Sequence, residues 1–244
     1  MTDKNYFSDE IILFAQDKIQ YLKEIEQNLE LLKSKKTFLI NKMKTLSSNN
    51  RTASLFTLDL LDFLIITQIR LVNFIETLID RTNNKDIIVT SLVTRQLIEQ
   101  LGILSEVRKQ CDKGLDKDNI PLLKRLTTTG RFNVGKFMQT IENGLNILPI
   151  VKMDKDYLNP DKDDMQINVL TLINKREESE GITFLYYFLS EFIHPNYSAI
   201  KAFMDFDEIT PKDYAKWVRS LWPVYSLLIK LIILEFEMLC EHVK

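Results

Sequence analysis

The sequence predicts an all-α fold, a bundle of long antiparallel helices, and three observations carry that expectation. Glycine and proline number only six each in 244 residues, too few for the turns that a sandwich or barrel needs roughly every ten residues. Apolar residues recur at steps of three and four over long stretches, the period of one helical face. Hydrophobic residues make up 45% and charged residues 27%, a balance that supports a buried core rather than a disordered chain. A single helical domain is expected over residues 1–244, with a surface loop at about 148–164.

The first helix is expected to start near Ser8, where Ser8-Asp9-Glu10 offers a cap followed by acids in the first turn. Its stripe runs Ile12, Ala15, Ile19, Leu22, Ile25, Leu29 and Leu32, then less regularly through Phe38, Leu39, Met43 and Leu46. Glu26 and Lys33 interrupt the best coiled-coil register, which favours an outer bundle helix over a coiled-coil dimer. Ser47 to Asn50 reads as a polar loop. The second helix, Leu55 to Arg81, is apolar on most sides and is expected at the centre. Asn83-Asn84-Lys85 is the next turn. The third helix is expected from Asp86 to Gln110, burying Ile88, Leu92, Leu97, Leu101, Leu104 and Val107. Gly102 lies inside it, and close approach of another helix would explain a glycine there.

Asp112 to Asn119 reads as a charged connector. Short helices are expected near Pro121 to Thr127 and Phe132 to Asn143, then the loop, then Met165 to Lys175. Gly181 is expected to break the chain before a helix from Thr183 to His194, which Pro195 halts. Thr210-Pro211 is a strong start signal for a last helix reaching about His242, kinked at Pro223. Trp217, Trp222, Tyr214 and Tyr225 are expected to pack that helix against the bundle.

The net charge of −2 argues against a protein whose main task is coating nucleic acid. Lys33, Lys35, Lys36, Lys42 and Lys44 form a local basic run, more often a solvated face than a phosphate contact. Cys111 and Cys240 form no CxxC pair and read as free thiols of a reducing compartment. No signal peptide is visible, and the apolar stretches 55–79 and 221–240 carry too many charges to span a membrane. A cytoplasmic location is therefore expected. No phosphate-binding or dinucleotide-binding glycine motif is present, so no cofactor is expected.

One polar cluster stands out in an apolar segment. Tyr187, Ser190, Glu191 and His194 fall at helical spacing on one face, with Asn196 just beyond. Arg95 and Glu99, four residues apart on the third helix, offer a counterpart. Arg95 is expected to pair with Glu191, and Glu99 with His194, since partly buried charges need partners.

An Arg-x-x-x-Glu helix followed by Tyr-x-x-Leu-Ser-x-x-x-His-x-Asn resembles a group of bacterial all-helical proteins. It is similar in outline to the HEPN-type domains of toxin and phage-defence systems. The residues carrying this are Arg95, Glu99, Tyr186, Leu189, Ser190, His194 and Asn196. The resemblance covers about Leu55 to Asn196 and implies action on RNA. HEPN-type ribonucleases place an arginine on the helix of the histidine, where this chain has Tyr187, Phe188 and Leu189. A nuclease here would use His194 as general acid or base and Arg95 to hold the phosphate.

Two other readings stay open. The same residues can form a structural network that fixes helix register in a non-enzymatic interaction module, one that self-associates through its first or last helix or binds a partner protein. Glu191-x-x-His194 also has the spacing of di-iron bundles, but the second motif is lacking, and with Asp59 and Asp62 the carboxylates remain too few; no metal is expected.

Overall fold

A chain with long apolar-periodic stretches buries each stripe by laying helix against helix. The computed structural model describes residues 5–48, 55–113, 169–174, 179–193 and 210–243. Seven α-helices lie among them: α1 (Asp9–Ala15), α2 (Ile19–Ser48), α3 (Leu55–Asn83), α4 (Ile87–Asp112), α5 (Val169–Asn174), α6 (Ser179–Ile193) and α7 (Pro211–Glu241). The described residues contain no strand. The expected connector beyond Lys113, the helices at 121–127 and 132–143 and the loop at 148–164 fall outside the described residues.

The starts follow the capping signals. Ser8 caps α1, its hydroxyl accepting from the Ile11 N–H. Asp86 caps α4 through the Val89 N–H at 3.0 Å. Thr210 caps α7 through the Asp213 N–H, with Pro211 in the first turn. The α7 helix then runs through Pro223 without interruption.

Three expectations change. The first long helix is two, because Gln16 takes φ 48° and a 3-10 turn, Gln16–Lys18, separates α1 from α2. Gly181 does not break the chain; it sits in the first turn of α6 with open space where a Cβ would stand. The central helix is α4 rather than α3. It packs against α3, α5, α6 and α7, and its buried face begins Ile87, Thr90, Ser91, Thr94, while Ile88 and Leu92 are exposed. Small side chains let neighbouring backbones approach, so a face that looks polar in sequence becomes the inner one. Ile66 and Ile69 of α3 are exposed, as an outer helix allows.

The α4 helix is also the one described helix long and apolar enough to cross a membrane, and 67% of its apolar window is buried inside the protein. Its neighbours account for that apolarity: it is a core helix.

Gly102 is explained by contact. A Cβ there would meet Ile173 Cγ1 at 3.3 Å and Leu172 Cβ at 3.5 Å, so α5 rests directly on the α4 backbone. Alanine gains about 1 kcal/mol of helix propensity but presses on a buried isoleucine. Little net change in melting temperature is expected for Gly102→Ala. Gly102→Leu must push α5 away, with an expected loss of about 2–3 kcal/mol in denaturant titration; unchanged stability would show that α5 does not rest there.

Four of the seams between long helices carry a polar link. Gln68 Nε2 of α3 donates to the Leu32 carbonyl of α2 at 3.0 Å. Tyr214 Oη of α7 donates to the Thr82 carbonyl of α3 at 2.8 Å. Ser226 Oγ of α7 donates to Glu24 of α2 at 2.6 Å. Arg108 of α4 meets the buried Glu235 of α7 at 2.5 Å. Such links cost little when satisfied and select one helix register over its slipped neighbours.

Candidate functional site: the Arg95, Glu99 and Tyr186 cluster

The α4 and α6 helices pack side by side, which brings part of the sequence cluster together. Arg95 Nε lies 3.6 Å from Glu99 Oε1, an ion pair one helical turn apart with both side chains about a quarter exposed. The distance exceeds a hydrogen bond, and Arg95 Nε has no hydrogen-bond partner among the described residues. The guanidinium carbon stands 4.6 Å from the centroid of the Tyr186 ring, within cation–π range. Tyr186 Oη donates to Glu99 Oε1 at 3.3 Å. Burial pushes the Tyr186 phenol above its ordinary pKa, so at neutral pH it is a donor.

The remaining residues divide. Ser190 Oγ donates to the Tyr186 carbonyl of its own helix at 2.7 Å, the local back-bond that serine makes inside helices. Tyr187 is 55% exposed and meets Tyr186 edge-on at 6.1 Å. Glu191 is exposed, and Arg95 is paired with Glu99 in place of the expected Glu191. The tyrosine that faces Arg95 is therefore Tyr186, not Tyr187. His194 and Asn196 lie outside the described residues, so the expected Glu99–His194 contact does too.

Two lysines of the basic run are occupied by structural work. Lys33 of the basic run holds Glu76 of α3 at 2.9 Å, and Lys35 holds Glu237 of α7 at 2.8 Å. Cys111 is a buried free thiol, and Cys240 is buried as well. Burial, aided by the neighbouring Asp112 charge, pushes Cys111 up to about 11, which keeps it protonated and unreactive near neutral pH. Among the described residues no three His, Cys, Asp or Glu side chains are grouped to hold a metal ion.

The sequence reading missed one feature. A cavity of about 530 Å³ opens between α6 and α7, lined wholly by glycine and apolar side chains including Ile182, Phe184, Phe188, Leu221, Val224 and Leu227. Phe184 is 72% exposed at its edge. Its signal lies in the spacing of the apolar residues of α7, Leu221, Val224, Leu227, Leu228 and Leu231.

Comparison with known proteins adds no relative: no family model, no curated protein and no solved structure matches the chain.

Proposed function

We propose that the chain is a non-enzymatic helical interaction module of the cytoplasm, whose Arg95, Glu99 and Tyr186 cluster is a structural link between α4 and α6. The observation that carries this reading is the commitment of the Arg95 guanidinium. It is shared between the Glu99 carboxylate and the Tyr186 ring, and a cation so placed is not poised for phosphate. The cluster has the same character as the links at the other helix seams. The apolar cavity between α6 and α7, with exposed residues at its rim, supplies the kind of surface that binds protein rather than RNA.

The HEPN-like ribonuclease reading keeps one supporting observation: Arg95 is about a quarter exposed, so its guanidinium is not sealed off. The two readings separate in one assay. RNA is incubated with wild-type protein, His194→Ala and Arg95→Met, and melting curves are taken on the same samples. The module reading expects no cleavage by any of them, and a loss of about 1 kcal/mol in Arg95→Met from the missing cation–π and ion-pair contacts. Cleavage by wild type that disappears in His194→Ala, with its melting curve unchanged, would overturn it.

A further inference from the structure

The outer face of α7 carries a second apolar stripe, exposed among the described residues except at Leu231, which is half-buried against the core. Val224, Leu227, Leu231, Leu234 and Met238 follow one another at steps of three, four, three and four, the spacing of a coiled-coil seam. Leu227 is 57% and Leu234 54% exposed, and Val224 and Met238 are exposed as well. The core does not need this stripe. Tyr225, Ile229, Ile232, Phe236 and Leu239, on the other side of the helix, are the residues buried in the bundle. A helix whose apolar face is already satisfied ordinarily turns charge outward.

The stripe has two unlike halves. Its N-terminal half, Val224 to Leu231, forms one wall of the cavity between α6 and α7. Its C-terminal half, Leu234 and Met238, lies beyond that lining and projects outward. A recess at one end of a helix and a projection at the other become complementary to themselves under a two-fold axis across the helix.

We infer that a second copy of this chain docks on this face, α7 against α7 and antiparallel, with the two-fold axis crossing between Leu231 and Leu234. The inference rests on the interaction-module reading and names its partner. In this register Leu234 meets the partner's Leu231 and Met238 meets the partner's Leu227, so each copy's projecting half enters the other's recess. Charge agrees with this orientation. Lys230 is exposed and Glu237 half-buried, seven residues apart beside the seam, so the two-fold axis brings Lys230 toward the partner's Glu237 twice. Glu237 already holds Lys35 at 2.8 Å and gains a second cation.

The test is the mass of the full-length chain in solution by sedimentation equilibrium, across a dilution series. Twice the 28.7 kDa chain mass is expected at high concentration, with loss of the dimer in Leu227→Glu and in Leu234→Glu. Both positions are exposed, so helical circular dichroism should be unchanged, and that spectrum separates a failed interface from a failed fold. Orientation is read by mixing Leu227→Cys chains with Met238→Cys chains under oxidation. Cross-linking between the two variants is expected, and self-cross-linking of Leu227→Cys would overturn the antiparallel arrangement. A monomer at every concentration, or a dimer indifferent to both glutamates, would overturn the second copy as occupant. Neither result depends on RNA cleavage, the finding by which the module reading itself would fail.

Discussion

Replacing Trp222 by alanine is expected to lower the unfolding free energy by about 3–5 kcal/mol, the range for deleting a fully buried large aromatic. Trp222 has no exposed surface. Its ring meets Phe7 edge-on at 4.9 Å and Tyr225 at 5.5 Å. It thereby holds the segment ahead of α1 onto α7, a contact between residues more than two hundred positions apart. Its Nε1 has no hydrogen-bond partner among the described residues, so the loss is one of packing and cavity formation. Trp222→Phe should consequently lose much less, since a phenyl ring retains most of the aromatic contact. Urea titration followed by circular dichroism reads both. A domain of ordinary stability has about 5–15 kcal/mol in total, so the alanine variant should be close to unfolding at 37 °C. Equal midpoints for alanine and phenylalanine would show that ring packing is not what Trp222 contributes.

Arg108→Met should cost about 3 kcal/mol or more, because it removes the cation facing a buried carboxylate. Arg108 Nε donates to Glu235 Oε2 at 2.5 Å, and the Glu235 side chain is 6% exposed. The second partner of Arg108, Asp112 at 2.6 Å, is 45% exposed and contributes little, as solvent screens it. Most of the loss therefore comes from Glu235 left in the core without that charge, not from the bond as such. The double variant Arg108→Met with Glu235→Leu separates the two. It should be more stable than Arg108→Met alone, since an apolar pair replaces an ion pair at small cost. A double variant that simply sums two losses would place the effect elsewhere.

The helices were legible in the sequence because caps and periodicity are local. Ser8, Asp86 and Thr210 mark their helix starts through side-chain oxygens acting within four residues. What periodicity could not supply was which helix lies at the centre. The α4 face is lined by Thr90, Ser91 and Thr94, residues that score as polar yet are buried, whereas the more apolar Ile88 and Leu92 face outward. Hydropathy alone does not assign that face, which also admits a close neighbour, α5, at Gly102.

The candidate site was half legible for a related reason. Arg95 and Glu99 announce themselves by spacing, but choosing between Tyr186 and Tyr187 requires the rotation of α6 about its axis. That rotation is fixed by Leu185 and Leu189, which bury on the same side as Tyr186. The outward stripe of α7 was hidden by its neighbours: seam and core residues are interleaved so closely along 221–240 that spacing alone does not separate them.

Whether Arg95 holds α6 to α4 is read from a double-mutant cycle in denaturant, with Arg95→Met, Tyr186→Leu and the two combined. The guanidinium stands 4.6 Å from the Tyr186 ring, so a favourable coupling of about 1 kcal/mol is expected between the two positions. Additive losses would mean that Arg95 and Tyr186 do not act on one another in the folded protein. Arg95 would then not be the link that holds α6 to α4.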